Sequence, residues 1–424
     1  MTATPTRGQP LRGDALERAR RRSTRLLSAA VALSSIANIA AITVAVIAAR
    51  ELLDDASLAG APNTTAIVGT ALGTTALAAL MVRRGRRFGL VLGLAIAAVG
   101  GLVTAWAVLE GSFLLLLLGT LLFGVGNASG QLSRYVAADM APAARRGWVI
   151  GLVVWASTVG AVVGPTLVSP AATLGQGWGL AELAGPFVLA AGLMALAAVL
   201  LFGWLRPDPY QLADESSRVE PEDAGRGEPM RRILLRPRVA VAVVAMIVGQ
   251  VVMVGIMTMT PVHMDDHGHG LEAVGFVISA HTLGMFALSP LSGRLVGRFG
   301  PVPSILAAAA ILALSAVFAI AAPADAGPLL LVGLFLLGYG WNLGFVAGST
   351  LLVSGVEHAE RTRTEGFSDS LVWASSGVAS LASGFILAGL GYAALGVIGL
   401  ILVALGTLVV LRLRVAFSPE PAPS

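Results

Sequence analysis

Methionine and histidine are the side chains whose type and spacing could do chemistry in this chain. Four of its five histidines, His263, His267, His269 and His281, fall within nineteen residues. Six of its eleven methionines, Met246, Met253, Met257, Met259, Met264 and Met285, fall within a forty-residue window. Met253 and Met257 are four apart, as are His281 and Met285. That spacing puts each pair on one face of a helix, its members about 6 Å apart along the axis. Thioether sulfur is neutral and soft, imidazole is borderline, and the combination suits Cu(I). Zinc would want His, Cys or carboxylate at tetrahedral spacing, and magnesium or calcium would want oxygen. The chain has no cysteine, so disulfides, thiolate catalysis and Cys-ligated clusters are excluded. Copper is thus expected as a passenger held by exchangeable ligands, with no resident cofactor and no enzyme activity.

Long apolar helices must hold these residues. Of 424 residues, 56% are hydrophobic and 12% charged, about half the roughly 25% charged fraction of soluble domains. The mean hydropathy is +0.83. Crossing about 30 Å of hydrocarbon takes about 20 apolar residues at 1.5 Å each. About twelve such stretches occur, near 26–49, 61–82, 88–109, 112–138, 148–170, 184–205, 239–262, 271–293, 301–322, 328–354, 366–389 and 391–411. The pattern predicts an all-α membrane protein with an N-terminal tail (1–25), a six-helix bundle (26–205), a polar linker (206–238), a second six-helix bundle (239–414) and a short tail (415–424). A soluble enzyme is excluded, and so is a nucleic-acid partner. The sequence pI near 10.2 reflects arginines in short segments between apolar runs.

Those arginines set the orientation, because cytoplasmic loops retain basic residues. With residues 1–25 in the cytoplasm, 27 of the 28 arginines lie on or near that side, and Arg50 alone faces outward. No cleavable signal peptide is expected, since the Arg-rich start runs straight into a full-length span. The chain should be a multi-pass protein of the cytoplasmic (inner) membrane with both termini inside. A reporter fused after Ser424 is expected to read as cytoplasmic and one inserted at Gly268 as external; the opposite result would reverse the assignment.

An internal repeat joins the two halves. Leu80, Arg83 and Gly85 in the loop after span two recur 215 residues later as Leu295, Arg298 and Gly300 after span eight, and Asn127 of span four recurs as Asn342 of span ten. Two parallel six-helix repeats around a central cavity are a transporter architecture. These loops resemble the signature G-x-L-x-D-R-x-G-R-[RK] of the major facilitator superfamily, with Val82 and Gly297 where the family usually has Asp. Gly151, Gly160, Gly164 and Pro165 in span five are similar to that family's glycine-proline motif, often seen in its antiporters. The resemblance implies the major facilitator fold and alternating access.

Counting about 1.5 Å per residue from the outer ends of spans seven and eight, Met253 and His281 both lie about 13 Å deep, Met257 about 7 Å and Met285 about 20 Å. If the two spans face each other, the four form a ladder for a soft cation. M-x-x-x-M and H-x-x-x-M, 28 residues apart, resemble the CcoA-like copper importers of that superfamily. The resemblance implies that Met253, Met257, His281 and Met285 bind the metal and that cytoplasmic copper-binding proteins receive it. The i, i+4 methionine pair also fits plain core filling.

Other polar residues carry paired readings. His263, Met264, His267 and His269 form either an outer copper-capture site or a solvated turn. Asn38, Asn127 and Asn342 line the cavity or join helices by hydrogen bonds. Arg83, Arg84, Arg134, Arg298 and Asp369 are expected at the inner gate, with Asp369 paired to Arg83 or Arg84; a topogenic role for these arginines fits equally. With no carboxylate near the midplane of any span, His281 is left as the titratable group. The leading expectation is copper import; the alternative is a proton-coupled exporter of drugs or small organic molecules.

Overall fold

The computed structural model describes residues 13–53, 61–213, 228–267, 271–321 and 327–414. Among the described residues the chain is all helical, and twelve stretches are long and apolar enough to cross a membrane. The first half contributes α1 (Gly13–Leu53), α2 (Ala61–Arg84), α3 (Arg86–Leu109), α4 (Phe113–Asp139), α5 (Arg146–Trp155), α6 (Ser157–Gly177) and α7 (Ala184–Trp204). The second contributes α8 (Met230–Leu235), α9 (Pro237–Asp266), α10 (Leu271–Phe286), α11 (Ser289–Phe299), α12 (Pro301–Ala321), α13 (Gly327–Ser354), α14 (His358–Leu390) and α15 (Tyr392–Arg414). Spans five and eight are each built from two helices, α5 with α6 and α10 with α11. In span eight the break precedes Pro290, which lacks the N–H needed to continue the ladder and disfavours helical geometry in the residue before it.

The 215-residue repeat has a backbone cause. Gly85 and Gly300 end spans two and eight at φ 92° and 85°, an extended left-handed conformation open to glycine alone. The repeat extends to a helix-joining bond. Asn127 donates to the Thr70 hydroxyl at 3.2 Å, joining α4 to α2, and Asn342 donates to the Met285 carbonyl at 2.7 Å, joining α13 to α10. Thr70 and Met285 are themselves 215 residues apart.

The halves meet along two seams, α2 against α14 and α5 against α11. At the second, a Cβ built on Gly293 would stand 2.6 Å from the Gly147 carbonyl oxygen and 2.9 Å from Trp148 Cα, both rigid backbone. Gly293→Val is therefore expected to hold the halves apart on this side. Overpacking of about 1–3 kcal/mol corresponds to a roughly 5- to 150-fold loss of the closed population. Transport should fall while insertion stays normal; transport at the wild-type rate would show that this seam does not need to close. Gly160 and Gly164 of the glycine-proline motif pack on Ser35, Ile36 and Ile39 of α1, so within the first half they serve close helix contact.

Candidate substrate site and gate

Three arginines and three carboxylates, all buried, sit where α3, α4 and α14 converge at the arginine-rich end. Arg134 Nη2 donates to Asp369 Oδ1 at 2.6 Å, and the Tyr135 hydroxyl donates to the same oxygen at 3.0 Å. Arg134 also reaches the Gln131 carbonyl (2.7 Å) and Ser349 Oγ (3.2 Å), and its guanidinium lies 4.2 Å from the centre of the Phe345 ring. Arg86 pairs with Asp139 and reaches Glu365 at 3.5 Å, while Arg361 pairs with Asp139 at 3.1 Å. Each guanidinium is thus met by carboxylate, and the cluster spans both halves. Beside it, Ser370 of α14 donates to the Ala71 carbonyl and lies 2.8 Å and 2.6 Å from the hydroxyls of Thr74 and Thr75 on α2.

This corrects the expected pairing of Asp369. Arg83 and Arg84 end α2 and are exposed, with Arg84 over the Phe88 ring, and Arg298 is exposed over Phe299. Asp369 lies eleven residues into α14, about 16 Å along its axis, where Arg134 is the basic group that meets it. Val82 is 43% exposed, so the missing loop Asp leaves the buried cluster to join the halves. Arg86, Arg361 and Glu365, which are not among the expected gating residues, belong to the same ion cluster. A signal was available, since Arg361, Glu365 and Asp369 stand four apart and must share one helix face.

The Met/His residues are arranged differently from the expected ladder. His281 is buried, and its Nδ1 donates to the Leu334 carbonyl of α13 at 2.9 Å, leaving Nε2 buried without a hydrogen-bond partner among the described residues. Met253 belongs to the buried apolar core, and Met257 and Met285 pack against it. Helices α9 and α10 both lie on α13 and touch each other only sparsely, because α10 meets α13 closely through Gly284 and Gly338. The expected facing of spans seven and eight is corrected accordingly: both pack mainly on α13 rather than on each other.

At the C-terminal end of α9, His263 stacks on Tyr392 (4.2 Å, 7°) and lies 4.4 Å from the His267 ring. With Tyr392 they line a cavity of about 520 Å³. Met264 is fully buried and so cannot serve surface capture. His269 lies outside the described residues. Among the described residues no group of three or more His, Cys, Asp or Glu is placed to hold a metal. Asn38 is half-buried on α1. Asn342 is fully buried, bonded to Met285, Ser289 and Ser292, and joins helices rather than lining a cavity.

Aromatic residues form a group that the residue types alone did not single out. Trp341 stacks on Phe345 (4.8 Å, 19°), and Phe286 meets Trp341 edge-on at 6.1 Å. Trp341 Nε1 donates to Gln250 Oε1 at 2.7 Å, and Gln250 Nε2 donates to Ser376 Oγ at 3.1 Å. Helices α9, α10, α13 and α14 all contribute. Phe345 lies against Arg134, so the stack ends on the seam between the halves. Flat apolar faces edged by an amide and a hydroxyl can hold a planar organic molecule and fix its orientation.

The sequence profile of the Major Facilitator Superfamily matches residues 26–274 and 264–424. The uncharacterized MFS-type transporter YdeG of Bacillus subtilis (strain 168) is 37% identical over 365 residues, covering 86% of this chain and 85% of that one. The riboflavin transporter RfnT of Brucella anthropi is 31% identical over 406 residues, covering 93% and 97%. Among solved structures, the transporter FucP in its outward conformation superposes with a TM-score of 0.76 at 15% identity, over 94% of this chain and 100% of that one, a likeness of fold.

Proposed function

Since this chain belongs to the Major Facilitator Superfamily, we propose that it is a proton-coupled secondary transporter of a planar aromatic organic solute, working in the cytoplasmic membrane. The observation that carries this reading is the Phe286–Trp341–Phe345 group with Gln250 on its edge. A relative that transports riboflavin, itself planar and heteroaromatic, supports the same solute class. The two bundles rock about the solute, and the buried ion cluster closes the arginine-rich side. Asp369 couples protons to that movement. Its Oδ1 is held by Arg134 and Tyr135, while Oδ2 is buried without a hydrogen-bond partner among the described residues. A proton taken up at Oδ2 cancels the charge that holds Arg134 and frees α14 from α4. The test uses proteoliposomes with riboflavin as probe and a panel of planar and non-planar competitors. Saturable transport inhibited by planar heteroaromatics and driven by a pH gradient is expected; equal competition by non-planar solutes would refute the reading.

A second reading, copper import through Met253, Met257, His281 and Met285 to cytoplasmic copper-binding proteins, is favoured by one observation. His281 donates from Nδ1 to a carbonyl and, among the described residues, keeps its Nε2 lone pair buried and unbonded, the tautomer in which one ring nitrogen is anchored to a carbonyl and the other is free to bind a metal. If copper is carried, silver should compete for uptake far better than zinc, since thioether ligands favour soft monovalent ions. Equal inhibition by zinc would remove this reading.

A further inference from the structure

The arginines at the start of α1 are not used by the gate or by the solute site. Arg18, Arg21, Arg22 and Arg25 are all exposed and line a concavity of about 460 Å³ that Leu26 completes. Their spacing of three, one and three residues puts them on one helix face as two i, i+4 pairs, Arg18 with Arg22 and Arg21 with Arg25. None of the four has an ion-pair partner among the described residues. By contrast, Arg20 on the neighbouring face is bound to Glu17 and to the Leu212 carbonyl. Arg22 donates to the Trp204 carbonyl at 3.2 Å, fixing the basic face beside the last turn of α7. Trp204 is 51% exposed. An exposed Trp at a span end marks the membrane interface, and Leu26 begins the apolar part of α1. The four guanidiniums therefore stand at headgroup height with acyl chains directly beneath.

We propose that Arg18, Arg21, Arg22 and Arg25 form a binding site for an anionic phospholipid carrying two phosphates, of the cardiolipin kind, with one phosphodiester held by each i, i+4 arginine pair. A guanidinium binds a phosphate through two parallel N–H···O bonds in a fixed fork, which an ammonium cannot reproduce. Basic clusters beside a span attract anionic headgroups in general. Two adjacent arginine pairs above an apolar floor go further, selecting for two linked phosphates with lipid tails over a free anion. The site is independent of the transported solute.

The test is native mass spectrometry of the full chain, extracted from vesicles containing equal amounts of cardiolipin, phosphatidylglycerol and phosphatidylethanolamine. The variant is Arg18→Lys, Arg21→Lys, Arg22→Lys, Arg25→Lys, which keeps every charge and with it the topology. The control is Arg83→Lys, Arg84→Lys, at exposed positions on the same side. Wild type and control should retain about one cardiolipin per chain. The fourfold variant should lose it by about tenfold or more, as bidentate contacts are replaced by point charges. Unchanged retention in the fourfold variant, equal retention of phosphatidylglycerol, or displacement of the lipid by inorganic phosphate would each overturn the proposal.

Discussion

Replacing Arg134 with Leu is expected to open the arginine-rich side of the protein and abolish coupled transport. The change leaves the Asp369 carboxylate buried with only the Tyr135 hydroxyl as donor. Removing one partner of a buried ion pair costs about 3–5 kcal/mol, equivalent to roughly a hundredfold or more in the closed population. The chain relieves that cost by moving α14 off α4 so that water reaches Asp369. The natural absence of cysteine makes this measurable with one introduced thiol. Ser370→Cys sits on the α2–α14 seam against Ala71, Thr74 and Thr75, and it should react with a thiol reagent from the arginine-rich side about a hundredfold faster when Arg134 is Leu. Unchanged labelling would mean that the ion pair does not hold the seam.

Asp369→Asn fixes this site in its neutral form. The amide is of similar size but, like the protonated acid, carries no charge to hold Arg134, and it can neither take up nor release a proton. Solute exchange down its gradient is therefore expected to continue, while accumulation driven by a pH gradient disappears. Accumulation that survives the change would locate the coupling carboxylate elsewhere. The double variant Arg134→Leu, Asp369→Leu should be closer to wild type in seam closure than Arg134→Leu alone, since it leaves no uncompensated charge behind.

The twelve spans were legible because hydropathy is a local property, and the repeat because Gly85 and Gly300 are fixed by a backbone angle rather than by distant neighbours. Depth along a helix could be read in the same way. Azimuth could not, and it decided the two errors. Met253 and His281 were counted to one depth, but which helix each faces depends on how closely α10 and α13 approach, and that depends on Gly284 and Gly338. Asp369 meets Arg134 and not the loop arginines expected for it for the same reason, since the loop arginines are near in sequence pattern while Arg134 is near in space. Trp341, Phe345 and Gln250 were passed over because aromatic residues in an apolar span read as packing. The bond from Trp341 Nε1 to Gln250 gives the group its polar edge, and the contact of Phe345 with Arg134 ties it to the first half.

Trp341→Ala is expected to weaken solute binding by about thirtyfold or more, the loss of roughly 2 kcal/mol typical of a buried aromatic anchor. The same change leaves a cavity beside Phe286 and Phe345 and costs some 3–5 kcal/mol in packing, so a loss of transport by itself would be ambiguous. Trp341→Phe resolves it. The ring keeps its stack on Phe345, while the lost Nε1–H leaves Gln250 Oε1 without its donor, a penalty of about 1–3 kcal/mol. If a planar solute stacks here and Gln250 orients it, the Phe variant should bind with intermediate affinity and altered preference among heteroaromatic competitors. A merely structural Trp341 would change stability and leave that preference alone. The double variant Met253→Leu, His281→Leu supplies the crossed comparison, for it removes two of the soft side chains of the copper reading without changing a residue of the aromatic stack. Riboflavin transport should survive it and fail in Trp341→Ala. The reverse pattern, with copper uptake lost in the Met253/His281 variant and kept in the Trp341 variants, would transfer the substrate from the aromatic group to the buried Nε2 of His281.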